Sequence, residues 1–130
     1  MSIEGVPSKS RILVVDDDDD VREGLARALA RAGGYDVITA ADSFEAGMQF
    51  ARFQPDVVLL DVVMPGMGGL DVCARMRAMA GGRRLRIIIL SGYGGESTKQ
   101  QSLFVGADMF LSKPQDIQTL LMHIDELLQD

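Results

Sequence analysis

Short runs of branched apolar residues recur along this chain, and each closes on a polar or charged side chain. The clearest is Val57-Val58-Leu59-Leu60, which ends on Asp61 and leads to Pro65-Gly66. An unbroken apolar run of this kind predicts a strand buried on both faces, in the middle of a parallel sheet. A carboxylate cannot stay unpaired in an apolar interior, and Pro-Gly forces a loop. Asp61 is therefore predicted at the carboxyl end of the strand, the edge at which open α/β sheets bind ligands. Three other runs behave alike: Arg11–Val15 ends on Asp16 and Asp17, Arg86–Leu90 on Ser91, and Met109–Ser112 on Lys113.

Between the strands the apolar positions shift to helical spacing. Val21, Leu25, Ala28, Leu29 and Ala32 share one helical face. Asp20 and Glu23 have the spacing of a capping box for that helix, and Gly33-Gly34 stops it. Tyr35–Thr39 reads as a strand and Asp42–Phe53 as a helix, again with Asp and Glu three apart at its start and with Gly47 weakening it. Leu70–Ala80 is a third helix. The fourth, about Ser97 to Val105, begins on polar residues. The last carries Ile117, Leu120, Leu121, Ile124, Leu127 and Leu128 on one face. Strands and helices alternate five times, with connections too long for hairpins, which predicts an α/β parallel sheet with helices on both faces. Residues 1–10, with Gly5, Pro7 and two serines, read as a flexible tail and residues 11–130 as one domain.

Composition narrows the function classes. The chain has 130 residues, 47% of them apolar, and a formal net charge of −6. Such a balance fits a folded domain and argues against a nucleic-acid surface, since no basic stripe is available to neutralise phosphates. One cysteine, Cys73, excludes an internal disulfide. No apolar run is long enough to cross a bilayer, and Met1 to Ser10 has no apolar core of a signal peptide. The expectation is a cytoplasmic protein.

The strand-end residues form a chemical set. Asp16, Asp17 and Asp61 would crowd three carboxylates together, an arrangement that calls for a cation. Hard oxygen donors suit Mg²⁺, which keeps several waters and bridges to phosphoryl groups. Lys113 adds a positive charge and Ser91 a hydroxyl. Together these meet the needs of phosphoryl transfer to Asp61. Taken singly, each residue is as well explained as a turn former, a cap or a surface lysine, and Asp18, Asp19 and Asp20 are read that way.

In order and spacing the motifs ILVVDD (Ile12 to Asp17), VVLLDVVMPGMGGLD (Val57 to Asp71), IIILSGYG (Ile87 to Gly94) and GADMFLSKP (Gly106 to Pro114) resemble the receiver domain of bacterial two-component response regulators. The resemblance runs from about Arg11 to Leu128. It implies a flavodoxin-like doubly wound sheet of strand order 2-1-3-4-5. It implies further that Asp61 is the phosphoacceptor, phosphorylated by a sensor histidine kinase or histidine phosphotransfer protein. Asp17 would be a direct Mg²⁺ ligand, Asp16 its neighbour on metal-bound water, and the backbone carbonyl of Val63 another ligand. Ser91 takes the place of the hydroxyl switch residue, Lys113 that of the lysine, and Phe110 that of the aromatic that turns inward on phosphorylation.

Several departures from the family pattern bear on function. The aspartate run is long, Gly68 stands where a polar residue is common, and Met109 follows Asp108 where a second acid is frequent. The last helix has no Lys or Arg, so a dimer through the basic face used by some members is not expected. The chain is expected to be mostly monomeric and to engage a downstream protein rather than nucleic acid or membrane. The resemblance implies that the residues at positions 63 and 93 tune hydrolysis of the acyl phosphate; Val63 and Tyr93 offer no base to orient water, so slow autodephosphorylation is expected. A phosphorelay shuttle, or the receiver of a hybrid kinase or transcription factor, fits the same residues. An aspartyl phosphatase fits less well, because Val62 and Val63 follow Asp61. A flavodoxin also fits less well, because Asp16 to Asp20 would repel a flavin phosphate.

Overall fold

The computed structural model describes residues 9–62, 68–92, 95–113 and 115–129. Strands and helices alternate as β1 Arg11–Val15, α1 Asp19–Gly33, β2 Asp36–Ala40, α2 Ser43–Phe53, β3 Val57–Leu60, α3 Gly69–Ala80, β4 Arg86–Ser91, α4 Glu96–Phe104, β5 Met109–Ser112 and α5 Ile117–Gln129. All strand pairs are parallel, and the sheet order is β2-β1-β3-β4-β5.

β3 lies at the centre of the sheet because its side chains have an apolar partner on either side. Val57 and Leu59 pack with Ile12, Val14 and Ile88 beneath Leu29 of α1 and Leu120 and Ile124 of α5. Val58 and Leu60 face the other way, with Leu13, Val15, Ile87 and Ile89 beneath Phe50 of α2 and Val72, Cys73 and Met76 of α3. The alternation of strand side chains thus assigns α1 and α5 to one layer and α2 and α3 to the opposite one. Within β5 the alternation puts Met109 and Leu111 under α1 and α5, and Phe110 against the α2–α3 side.

Helix ends deviate from the sequence expectation where several caps compete. α1 is capped by Asp18, whose Oδ1 accepts from Val21 N at 3.1 Å. The Asp20–Glu23 capping box expected for this helix is therefore corrected, and Asp20 lies in its first turn. The cause is upstream: Asp16 Oδ1 accepts from Asp18 N at 3.0 Å, and this turn leaves Asp18 at the helix entrance. α2 keeps its expected cap. Asp42 Oδ1 accepts from Glu45 N and Glu45 Oε1 from Ala41 N, both at 2.8 Å. Gly34 ends α1 in the left-handed region, with φ 68°. β2 spans Asp36–Ala40 rather than Tyr35–Thr39, with Tyr35 packed against the α1–α5 cluster instead. Among the described residues, no helix is long and apolar enough to cross a membrane.

Candidate functional site

Four strand ends meet at the carboxyl edge of the sheet. The register pairs Val15 with Leu60, so Asp16 and Asp61 leave neighbouring strands side by side. Backbone bonds hold both: Asp16 N donates to Ala40 O at 3.1 Å, and Asp61 N to Val15 O at 3.0 Å. On the far side Ser91 is level with Ser112, and Lys113 N donates to Ser91 O at 2.8 Å. Lys113 therefore leaves β5 one residue beyond the buried Ser91 and reaches back over the sheet edge. Its Nζ lies 2.6 Å from Asp16 Oδ2 and 3.3 Å from Asp61 Oδ2.

Burial sharpens the electrostatics. Asp16 is 3% exposed and Asp61 9%, whereas Asp17 is open to solvent. Burial alone would lower the Lys113 pKa; the hydrogen bond to Asp16 and the charges of Asp61 and Asp16 outweigh it, so the ammonium is held above the ordinary lysine value. The lysine is thus a fixed positive charge at neutral pH, shared between two carboxylates.

Asp16, Asp17 and Asp61 each present a carboxylate oxygen, all within 4.8 Å of one another. Three hard oxygens with one member in water fit a small divalent cation that retains part of its hydration, as Mg²⁺ does. One lysine cannot balance three carboxylates, so the set retains negative charge for such an ion. Val63, whose carbonyl the resemblance adds to this set, and Tyr93 lie outside the described residues. Phe110 is half-buried on β5, packed against the α2–α3 core.

One glycine sets the distance between the site and α3. A Cβ on Gly69 would lie 2.6 Å from Val62 Cα and would also overlap the backbone carbonyl of Asp61. Gly69 N donates to Val62 O at 2.8 Å, so the first residue of α3 rests directly on the segment carrying Asp61.

Two arginines that sequence reading did not single out complete the framework. Arg22 reaches back from α1 to donate to Asp16 O at 3.0 Å, and it pairs with Asp19 at 2.7 Å. Its i,i+3 spacing from Asp19 is the available sequence signal. Arg77 of α3 donates to Gly106 O, Leu85 O and Asp108 Oδ2 at 2.7, 2.6 and 2.7 Å. Asp108 Oδ2 also accepts from Ile87 N at 2.8 Å. This network ties α3 to the loop between α4 and β5. No local pattern announces it, because its partners lie far apart in the chain.

Comparison with known proteins agrees with this geometry. The profile of the response regulator receiver domain matches residues 12–125. Response regulator MprA of Mycobacterium leprae (strain TN) is 43% identical over 119 residues, covering 92% of this chain and 51% of that protein. The chain spans about half the length of the curated relatives it matches. Among solved structures, a CheY-like receiver domain protein from Methanospirillum hungatei JF-1 superposes with TM-score 0.87 at 30% identity, over 94% of this chain and 95% of that one. Vibrio cholerae CheY4 gives TM-score 0.85 at 31% identity, over 92% and 99% of the two chains. With its motifs at the strand ends and its sheet order shared with these structures, the chain belongs to the response regulator receiver domain family of two-component signalling.

Proposed function

We propose that this domain is a phosphorylation-controlled switch with Asp61 as its phosphoacceptor. The observation that carries the reading is the bridge from Lys113 to Asp16 and Asp61 at the sheet edge. A carboxylate oxygen of Asp61 attacks the phosphorus of a phosphohistidine on a sensor histidine kinase or histidine phosphotransfer protein. The P–N bond breaks, and the imidazole nitrogen leaves with its electron pair and takes up a proton. Asp16 and Asp17, with Asp61 and the carbonyl of Val63, would hold Mg²⁺, which when bound supplies positive charge to the transferring phosphoryl oxygens. Lys113, already positioned on Asp61, turns its ammonium to a phosphoryl oxygen of the product. Ser91 donates its hydroxyl to another.

Output follows from the same residues. Drawing Ser91 toward the phosphoryl group opens space beside β5, and Phe110 turns inward to fill it. The changed face, α4, β5 and α5, engages a downstream protein. α5 carries no Lys or Arg, so that face is assigned to a protein rather than to nucleic acid or membrane, and the domain acts mostly as a monomer. A cytoplasmic setting is part of this reading, supported by the buried free thiol of Cys73 and by the kinase partner that the reading calls for.

Labelling with a small phosphodonor such as acetyl phosphate tests the assignment. Intact-mass measurement should show one phosphoryl group on the wild-type protein with Mg²⁺ and none with chelator. Asp61→Asn should take up none, and Asp17→Asn should need more Mg²⁺. Equal labelling of Asp61→Asn overturns the reading.

A further inference from the structure

The layer opposite α1 and α5 has an opening that the phosphoacceptor site does not use. α2 and α3 part over a groove of about 570 Å³, bordered by Phe44, Gly47 and Met48 from one helix and by Arg75, Met76 and Met79 from the other. Three of its apolar members are open to solvent over a buried floor of Val72 and Met76: Phe44 is 76% exposed, Met48 54% and Met79 56%. Single exposed apolar residues are ordinary, but three that meet along one groove form a patch of the kind that marks an interaction site. Two methionines give such a wall adaptable packing.

Gly47 adds to the shape of the groove. A glycine in a helix interior is about 1 kcal/mol worse than alanine, and a Cβ on Gly47 would meet no atom within 4 Å among the described residues, so the space above it is open. The missing side chain hollows the floor between Phe44 and Met48, one turn apart on the same face. Although the chain carries a net charge of −6, the charged residue lining the groove is Arg75, which forms no ion pair with the described residues. Arg52 extends the Phe44–Met48 stripe by another turn, and among the described residues its side chain bonds to that of Gln49.

We propose that the α2–α3 groove docks an amphipathic helix of a partner protein, with a bulky apolar side chain seated over Gly47 and a carboxylate paired with Arg75. Two parallel walls of side chains with a hollow between them suit a helix laid in a groove, read through anchors at i, i+3, i+4 and i+7. Acidic flanks follow from Arg75 and Arg52. A second copy of this chain is the poorer occupant, because face-to-face pairing would bring the arginines of both copies together.

The test uses synthetic helical peptides of about four turns, with Leu, Phe or Met at those anchors and Glu on the flanks, beside matched peptides with Lys on the flanks. Binding is read by fluorescence anisotropy and by the methyl and aromatic resonances of Met48, Met79 and Phe44. The Glu series should bind about tenfold or more tightly than the Lys series at low salt, and should shift those resonances. Gly47→Leu should fill the hollow and weaken binding about tenfold or more, while the melting temperature stays level or rises. Arg75→Glu should reverse the preference between the two series. The proposal is overturned if no peptide of the Glu series binds, if both series bind alike, if Gly47→Leu binds as wild type does, or if the shifts fall on α1 and α5. A dimer in sedimentation that Gly47→Leu dissociates would overturn it in favour of self-association.

Discussion

Lys113 is held more closely by Asp16, at 2.6 Å, than by the neighbouring Asp61, at 3.3 Å. Before any phosphoryl group arrives, the lysine's main task is therefore to neutralise the buried aspartate at the end of β1. Lys113→Met removes that charge and leaves two adjacent carboxylates facing each other with little water. We expect a loss of about 1–3 kcal/mol in urea denaturation near neutral pH. The loss should shrink on adding Mg²⁺, because a divalent cation among the carboxylates replaces the missing charge. A variant as stable as wild type, and indifferent to Mg²⁺, would mean that the bridge carries no stability.

Gly69 leaves no room for a side chain against the backbone of Asp61 and Val62. Gly69→Ala should force α3 away from the end of β3, at about 1–3 kcal/mol. Elsewhere in a helix the same change would stabilise by about 1 kcal/mol, so the sign of the melting-temperature change is decisive. A rise would show that the approach relaxes freely. Labelling of Asp61 should slow in the same variant, since its backbone must move.

The Arg77 side chain donates to two backbone carbonyls and one carboxylate. Arg77→Met preserves much of the aliphatic packing but leaves Leu85 O, Gly106 O and Asp108 without that donor. The expected destabilisation is about 2–3 kcal/mol. Amide exchange should speed up first around Gly106 to Asp108, the loop the arginine anchors. Uniform exchange across the domain would contradict a local role.

Burial pushes the Cys73 thiol up to about 11, with Asp108 adding to the effect and Arg77 opposing it. At pH 8 the native thiol should react with iodoacetamide far more slowly than the unfolded one, because the thiolate is the nucleophile. A thiol pKa raised by folding also sets the sign of a stability change. Below the unfolded value, about 8.5, both states are protonated and folding is unaffected. As pH rises from there toward 11, the unfolded chain loses its proton first and stability falls. Compared with Cys73→Ala, wild type should show the steeper alkaline decline. Parallel pH profiles for the two proteins would refute this linkage.

Much of the architecture follows from the sequence by local physics. Unbroken branched runs such as Val57–Leu60 can be satisfied only by burial on both faces, and residues such as Asp61 and Lys113 end them because neither charge is tolerated further in. Helical spacing in α1 and α5 likewise set which side each turns to the sheet. Four things had to await the tertiary structure. The Asp18 cap was hidden among five aspartates, since any of several could accept from a helix N-terminus, and the bond from Asp18 N to Asp16 selects among them. The Arg77 network joins α3, the start of β4 and the α4–β5 loop, and spacing along one helix carries no sign of such distant partners. The meeting of Asp16 with Lys113, 97 positions apart, was legible as composition and motif, but its geometry depended on β1 and β3 pairing side by side. The exposure of Phe44, Met48 and Met79 belongs to the same class. Helical periodicity says that a side chain shares a face with its neighbours, and only the packed layers decide whether another element covers that face.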